Sequence, residues 1–524
     1  MNPLVIAATM ARRGMLAPNL PHRLVGQLTS LATWGMSLVG EVRQAALGAP
    51  QRIAVIDQAR GATTYAELFD RGMRAAVALR SQGVEPGHRI GLMARNHVGA
   101  VEVMVGASAL GVDLVLVNTG LAGEQLGLVL AQQEIDLLVH DEECAAIVDV
   151  LVDGPKTLSE SAFAAAVDAL PVGTSVDRPE PAGRTIILTS GTTGVPKGAA
   201  RRTPKGVGAL VSMIDRIPLH VGDRILIAAP IFHTWGYAAL QLSFGMSATV
   251  ILRRRFDPRD VVEVLEGERV QAMFAVPVML QRMIEQLPAD PGGTVRRPSL
   301  RVVATSGSAY PSGFTTRFMD EYGDVLYNLY GSTEASWICI ATPSDLRRHP
   351  DTAGTPPLGT VVRLLDADGA EVPDGETGRI FCGNEMVFEG YTSGGSKEFI
   401  DGMVSTGDMG HRADGLYFID GRDDDMVISG GENVYPSEVE GLVVAHPAVR
   451  EVSVVGVPDP NFGQRLAAFI ALEPGAELSA DDVRDLVRSQ RARHCVPREV
   501  VFLDELPRNT TGKILTRELK ARFV

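Results

Sequence analysis

Lysine is scarce in this chain. There are six in 524 residues (Lys156, Lys197, Lys205, Lys397, Lys513 and Lys520) against 43 arginines. A lysine set in a Gly/Thr loop therefore needs a reason, and lysine supplies what arginine does not: a compact point charge on a flexible stem. Cysteine is scarcer. Cys144, Cys339, Cys382 and Cys495 lie far apart and form no CxxC pair, which argues against a disulfide scaffold or structural zinc and for a reducing, cytoplasmic setting. No run of 18 or more apolar residues occurs, so no spanning helix is expected. At the start of the chain, Arg12 and Arg13 follow the apolar run instead of preceding it, the wrong order for a secretory leader. Positive charge is also in deficit. A net charge of −14 and a pI near 5.3 exclude a general nucleic-acid coat protein. A GxSxG nucleophile elbow and a GxGxxG after a strand are both missing, which removes the commonest hydrolase and dehydrogenase readings.

What is present is ordinary globular material, 45% hydrophobic and 21% charged. At roughly 100–200 residues per domain the length suits about two to four domains. Residues 1–49 are apolar with a few basic positions, and Leu24, Leu28, Leu31, Trp34 and Leu38 recur at helical spacing. This stretch reads as a helix packed on its own domain, with a peripheral membrane face as the alternative that Arg12, Arg13 and Arg23 favour. From about residue 50 helical and strand patterns alternate: a helix over 65–82 stopped by Gly83, a strand over 89–93, a small-residue helix over 99–110, and strands over 185–188, 249–252, 272–276 and 300–304. Such alternation predicts a mostly parallel sheet covered by helices. Residues 355–420 change character, with short strands broken by Asp-Gly pairs, as expected of an antiparallel, barrel-like unit. After Gly421-Arg422 comes a compact mixed unit of about 100 residues, with a helix over 436–446 and a capping box at Ser479–Asp482.

Four segments carry chemistry. Thr189, Ser190, Gly191, Thr192, Thr193, Gly194, Val195, Pro196 and Lys197 follow the strand at 185–188. Glycines free the backbone to approach a ligand, successive N–H groups can cradle an anion, and hydroxyls and Lys197 add donors, so phosphate is the ligand this loop suits. It is not the GxxxxGK[ST] loop, because Lys197 lies between Pro196 and Gly198. Asn328-Leu-Tyr330-Gly331-Ser332-Thr333-Glu334 follows another strand. Here Glu334 could hold Mg²⁺, Thr333 a phosphate oxygen and Tyr330 a ring face; a turn with an N-cap would look the same. Ser405-Thr-Gly-Asp408, with Arg422 further on, could grip ribose hydroxyls or could be acidic surface turns. Pro507-Arg-Asn-Thr-Thr-Gly-Lys513 is a second Gly/Thr loop with a lone lysine.

Two of six lysines in Gly/Thr loops more than 300 residues apart, together with Tyr65-Ala-Glu-Leu68, Ser306-Gly-Ser-Ala309, Gly375-Glu-Thr-Gly378 and Ser429-Gly-Gly-Glu-Asn-Val-Tyr-Pro436, resemble the adenylate-forming superfamily of acyl-CoA synthetases, luciferases and adenylation domains. The match runs in order from about residue 50 to the Lys513 loop.

The resemblance implies an α/β fold: a large N-terminal domain (50–421) of stacked α/β subdomains with a barrel-like part, and a small mobile α+β C-terminal domain (422–524). It implies ATP, Mg²⁺ and coenzyme A, an acyl-adenylate intermediate, then a thioester. By position, 190–197 would hold the β- and γ-phosphates, and Thr333 and Glu334 the α-phosphate and Mg²⁺. Tyr330 with Gly307, Ser308 and Ala309 would enclose adenine, and Asp408 and Arg422 would bind ribose. Lys513 would bridge carboxylate and α-phosphate, Asp424 would be the hinge, and Gly430 and Gly431 would serve the thioester site. Phe232-His233-Thr-Trp-Gly236 is similar to the Phe-His-x-x-Gly of fatty-acyl-CoA synthetases. It lacks the nearby Asp that pairs with an α-ammonium in amino-acid-activating relatives, so a fatty acid is the expected substrate. His233 would gate its tunnel or be a packed core histidine, and apolar small neighbours (Gly236, Ala238, Ala239, Leu240) would make room for an alkyl chain. An acyl-AMP ligase serving a carrier protein, an aryl-acid ligase and a homodimer remain open.

Overall fold

The computed structural model of the chain describes residues 2–17, 20–121, 123–151, 154–180, 182–189, 196–201, 203–204, 206–286, 299–310, 313–423, 427–429, 432–434, 436–459, 463–491, 493–509 and 512–523. Its centre is an eight-stranded sheet. In spatial order the strands are Ser336–Ala341, Leu326–Ser332, Val302–Thr305, Ala272–Ala275, Arg224–Ile227, Thr249–Leu252, Ile53–Asp57 and Gly61–Thr64. The six inner strands are parallel and only the two edges turn back. Buried on both faces, the inner strands read as short continuous apolar runs: every residue of Thr249–Leu252, Ala272–Ala275 and Val302–Thr305 is buried.

A second, six-stranded sheet runs Lys156–Ser159, Leu137–His140, Arg89–Met93, Asp113–Leu116, Thr185–Thr189 and Lys197–Arg201, parallel except for the last strand. Helix Val98–Leu110 is apolar and buried on nearly every side, and helix Tyr65–Ser81 packs along it. A helix without a polar stripe is one held between layers. Two glycines set its spacing. A Cβ on Gly72 would lie 2.4 Å from Val105 Cγ1, and one on Gly106 would lie 2.9 Å from the Ala76 backbone nitrogen. Tyr65–Ser81 starts on the expected residue, held by a Thr64–Glu67 capping box.

Residues 361–422 form a five-stranded antiparallel sheet that curls on itself: the Tyr417 hydroxyl donates to Val362 O at 3.2 Å, joining its outer strands. The carboxy-terminal unit has its own sheet (Glu432–Val434, Val427–Ser429, Gly463–Leu472, Val449–Asp459, Glu499–Phe502). Helices Pro436–Val444 and Ala480–Gln490 complete it, the latter opened by the expected Ser479–Asp482 capping box.

The start of the chain departs from the single helix expected there. It forms three helices, Pro3–Arg12, Pro21–Trp34 and Leu38–Gly48. Gly35, at φ 59°, ends the second, so Leu38 belongs to a different helix from Leu24 and Leu28. Only Leu31, Trp34 and Leu38 of that periodic set pack inward.

Gly106→Val would push two methyl groups into the Ala75–Ala76 backbone, and overpacking of this kind costs on the order of 2 kcal/mol or more. A urea titration should give a lower midpoint at an unchanged slope; an unchanged midpoint would show that the helix pair can separate without cost.

Candidate active site

Strands Arg224–Ile227, Ala272–Ala275, Val302–Thr305 and Leu326–Ser332 run in one direction, so their carboxyl ends hand over to loops on one edge of the eight-stranded sheet. Those loops contain His233, Val276-Pro277, Ser306–Ala309 and Thr333–Ala335. Open parallel sheets place ligand sites there. The register Thr305↔Asn328 sets the Ser306–Ala309 loop beside Tyr330, with Gly307 at φ 110° and Gly307 and Ala309 exposed.

Asp408 forms one pole. A β-bulge interrupts the pairing of Gly378–Gly383 with Met403–Ala413, and Gly407, at φ 80°, takes the left-handed turn it requires. The bulge turns Asp408 inward, where its Oδ2 accepts the Tyr330 hydroxyl at 2.6 Å. Arg422 lies directly across the ladder and brings Nη1 to 3.7 Å of Asp408 Oδ1. Burial raises the Asp408 carboxyl above its ordinary range. The Tyr330 hydrogen bond and the charges of Arg422, Lys397 and Lys513 pull it back. Burial, then the charge of Asp408, pushes the Tyr330 hydroxyl up, so it stays a donor.

Glu334 forms the other pole. The Tyr330–Glu334 segment is less a loop than expected: the strand continues to Ser332 and turns through 333–335 into Ser336–Ala341. Gly331 is required because a Cβ there would meet Ser336 O at 2.1 Å. Thr333 Oγ1 lies 3.2 Å from Thr234 Oγ1, and Glu334 Oε1 accepts the Tyr391 hydroxyl at 2.7 Å. Lys197 is not inside a loop. It opens the return strand, paired with Thr189, and its ammonium lies 5.3 Å from the centre of the Tyr391 ring. Tyr391 therefore links the two sides, one face to a cation and its hydroxyl to a carboxylate. Ser190, Gly191, Thr192, Thr193 and Gly194 lie outside the described residues, as do Asp424, Gly430 and Gly431.

Two contributors escaped the sequence. Arg201, four residues after Lys197, shares its strand face, and its Nε donates to Thr333 O at 3.1 Å. Its guanidinium also bonds Ser332 O. Burial brings it down to about 10, with Glu334 opposing that shift. The alternation Lys197–Ala199–Arg201 was visible, but its partner turn lies 130 residues away. Tyr391 had no local signal beyond a preceding glycine.

His233 precedes helix Thr234–Gly245. Its ring lies 4.6 Å from Phe232, its Nε2 is buried without a hydrogen-bond partner, and burial lowers it to about 4. It is a neutral base at pH 7. The expectation that Gly236 makes room for substrate is corrected: a Cβ there would sit 2.1 Å from Pro230 O, so the backbone fills the space, and Ala239 and Leu240 lie in the core. Of the expected set, Ala238 borders open space. A narrow cleft of about 50 Å³ is lined by Ser37, Leu38, Thr185, Arg201, Tyr237 and Gln241.

Lys513 arrives from the carboxy-terminal unit on a hairpin closed by Asn509 N–H to Lys513 O and Lys513 N–H to Asn509 Oδ1, each 2.9 Å. Gly512, at φ 80°, presses against Val278 of helix Pro277–Glu285; a Cβ would be 2.2 Å from Val278 Cγ1. This leaves Lys513 exposed, with its charge acting on Asp408. For Mg²⁺ the donor chemistry fits: Glu334 Oε1 is engaged by Tyr391 while Thr333 adds a hydroxyl, and a hard cation takes one or two carboxylates plus substrate oxygens. Among the described residues the clustered metal-ligand group lies elsewhere, at His97, Asp141 and Glu160, and Arg254 already pairs with both carboxylates.

The His233 environment carries a prediction. Its folded value lies below its unfolded value of 6.5, so between pH 6.5 and about 4 the unfolded chain takes a proton that the folded chain refuses. Stability falls with pH across that window, by at most roughly 3 kcal/mol from this group. Urea midpoints of His233→Gln measured from pH 7 to 4.5 should fall less steeply than those of the wild type. Parallel curves would mean that His233 protonates without resistance.

The AMP-binding enzyme family matches residues 42–392, and its C-terminal domain matches 438–513. A feruloyl-CoA synthase of Amycolatopsis sp is 33% identical over 469 residues, 88% of this chain and 94% of the relative. A 2-succinylbenzoate–CoA ligase of Geobacillus kaustophilus is 33% identical over 500 residues, 94% and 98%. Among solved structures, ATP-bound MatB from Rhodopseudomonas palustris superposes with a TM-score of 0.83 at 26% identity, covering 93% of this chain and 99% of that one. With the two family regions spanning most of its length, the chain belongs to the AMP-binding, adenylate-forming enzymes.

Proposed function

We propose that this protein is an AMP-forming acid–CoA ligase acting on a lipophilic carboxylic acid without an α-amine. The observation that carries the reading is the packing of the Lys513 hairpin, through Gly512, on Val278 of the large unit, beside the loops at the carboxyl edge of the eight-stranded sheet. In the first step a carboxylate oxygen attacks the α-phosphorus of ATP, the bond to the β-phosphate oxygen breaks, and pyrophosphate leaves. Lys513 neutralises charge gathering between carboxylate and phosphate; a preorganised group of this kind is worth on the order of 3 kcal/mol. Lys197 and the 190–194 loop bind the β- and γ-phosphates. Tyr391 holds the Glu334 carboxylate and Arg201 the Thr333 carbonyl, fixing the turn against which the α-phosphate lies. Glu334 and Thr333 would hold Mg²⁺, which would supply charge neutralisation at the phosphates. Asp408 and Arg422 orient the ribose, while Tyr330 and Gly307, Ser308 and Ala309 flank the adenine. In the second step the sulfur of coenzyme A attacks the acyl carbonyl and AMP leaves. A turn at Asp424 withdraws Lys513 and delivers Gly430 and Gly431.

The fatty acid rests on Phe232-His-Thr-Trp-Gly236 and on the lack, in that segment, of an Asp that could meet an ammonium. An aryl acid is the second reading. The cleft at Ala238 is narrow and has the polar side chains of Tyr237, Gln241 and Thr185 in its wall, and both curated relatives are named for aromatic acids.

Pyrophosphate release over a panel of fatty, aryl and amino acids, with and without coenzyme A, tests the proposal. Release should need an acid and ATP, AMP and thioester should appear together once coenzyme A is added, and amino acids should be inert. Lys513→Ala should lose about a hundredfold or more in pyrophosphate release yet still convert supplied acyl-adenylate to thioester. Near-normal release by the variant would refute the role of Lys513. Release from amino acids alone would refute the substrate class.

Tyr391→Phe keeps the ring under Lys197 and removes the hydrogen bond to Glu334. We expect the KM for MgATP to rise about tenfold, the order of one hydrogen bond to a charged group, with the ranking of acids unchanged. A changed ranking at constant KM would move Tyr391 to the acid side.

A further inference from the structure

Strand Lys197–Arg201 is the last of the six-stranded sheet, and its outer edge is covered. Residues 389–392, which lie between two strands of the curled sheet, run along it. Glu389 N–H donates to Ala200 O at 3.1 Å, Ala200 N–H to Gly390 O at 3.3 Å and Thr392 N–H to Gly198 O at 2.9 Å. Tyr391 is the partner of Ala199 in this short ladder. The ladder bears on the site because the same Tyr391 bonds Glu334 and carries the Lys197 ammonium over its ring.

The end of the ladder nearest Lys197 is locked by Gln133, the residue that follows helix Gly123–Gln132. Its amide oxygen accepts the Thr392 hydroxyl at 2.7 Å, across 259 residues of sequence. That oxygen and that hydroxyl leave no room on Gly198: a Cβ there would lie 2.5 Å from each. A glycine inside a strand marks such a close approach. Gln133 is fully buried, and Arg89 Nη1 donates to its backbone carbonyl at 2.9 Å. Its Nε2 is buried with no hydrogen-bond partner among the described residues. An apolar side chain would fill such a place at lower cost, because a buried donor left unpaired loses the bond it would make to water. Stability therefore does not account for the glutamine; what it supplies is one acceptor at Thr392.

We propose that Gln133 is a positioning residue for the MgATP side of the site: through Thr392 it fixes Gly198, and with Gly198 the adjoining Lys197 and Tyr391, so that the ammonium stands where the β- and γ-phosphates lie. This rests on the reading of the protein as an AMP-forming ligase. The bond between Thr392 N–H and Gly198 O lies one residue from Lys197 and one from Tyr391, so slack at that point passes directly to the pair. AMP and acyl-adenylate both lack the β- and γ-phosphates. A loss confined to this side of the site therefore spares both of them.

Calorimetric titration of the full chain with MgATP and, separately, with AMP tests the proposal without any acid. Gln133→Leu, close in volume but without the acceptor, and Thr392→Val, which removes the hydroxyl alone, should each bind MgATP about fivefold more weakly, the order of one neutral hydrogen bond, and bind AMP as the wild type does. The two together should lose no more than either alone, because each removes the same bond. Thr392→Ser keeps the hydroxyl and should recover most of the affinity lost in Thr392→Val. In turnover, Gln133→Leu and Thr392→Val should raise the KM for MgATP and convert supplied acyl-adenylate to thioester at an undiminished rate. Thr392 is half-buried, so Thr392→Val and Thr392→Ser decide the matter if Gln133→Leu does not fold. Unchanged MgATP affinity overturns the proposal. Equal losses for MgATP and AMP overturn it too, since Gln133 would then only hold the fold, and so do losses that multiply in the double variant. The ligase reading fails separately: a wild type that binds MgATP but releases no pyrophosphate from any acid refutes it, and the ratio of MgATP to AMP affinity still decides the role of Gln133.

Discussion

A buried carboxylate, Asp408, is the point on which this molecule converges. Taking a carboxylate out of water is costly unless donors and cations surround it. Each group around it comes from a different part of the chain. Tyr330 reaches it from the large parallel sheet, Arg422 from the neighbouring antiparallel strand, Lys397 from a loop before the bulge and Lys513 from the carboxy-terminal unit. The Tyr330 hydrogen bond and the Arg422 pair thus tie the eight-stranded sheet to the curled sheet through one anion. Two of the six lysines act on this one residue. The same surround would hold a ribose in place, because Asp408 keeps a second carboxylate oxygen turned toward a cation instead of committed to a short hydrogen bond.

The opposite pole works by a related rule with the signs exchanged. Arg201 is a guanidinium pushed down by burial and anchored on the carbonyls of Ser332 and Thr333, with the charge of Glu334 opposing that shift. Tyr391 then binds Glu334 by its hydroxyl while Lys197 lies over its ring. Cation, ring, carboxylate and buried cation form a connected set that spans two sheets. Such networks are stiff because removing any member leaves another buried charge or donor unmatched. Stiffness is what a phosphate-transferring site requires, since its catalysis is mostly positioning and electrostatics.

The segment at residues 2–34 obeys neither rule. It contributes no charge to the site and leaves leucines in water, yet its inner side is locked to the core through Trp34 and the helix that follows. The same sequence period therefore serves two faces. Leu31 and Trp34 are held by packing; Leu24 and Leu28, with identical composition, are not. Burial here was decided by Gly35, which ends the helix and turns the chain toward Leu38.

Periodicity and punctuation alone determined a good deal of this protein. The capping residue Ser479 starts its helix as read, because a cap is a local bond between residues three apart. The inner strands Thr249–Leu252, Ala272–Ala275 and Val302–Thr305 were legible because burial on both faces makes them continuously apolar. Glycine-rich punctuation marked Gly307, Gly407 and Gly512, each at a positive φ that side chains resist. What the tertiary structure alone decided is which distant residues face one another. Arg201 meets Thr333 and Tyr391 meets Glu334 because strand register and a crossover bring them together, and no local pattern encodes a partner 57 or 132 residues away. Gly236, legible as a glycine, turned out to serve close backbone packing and not an acyl chain, because the atom that forbids its side chain belongs to a loop whose position is set by the sheet beneath it.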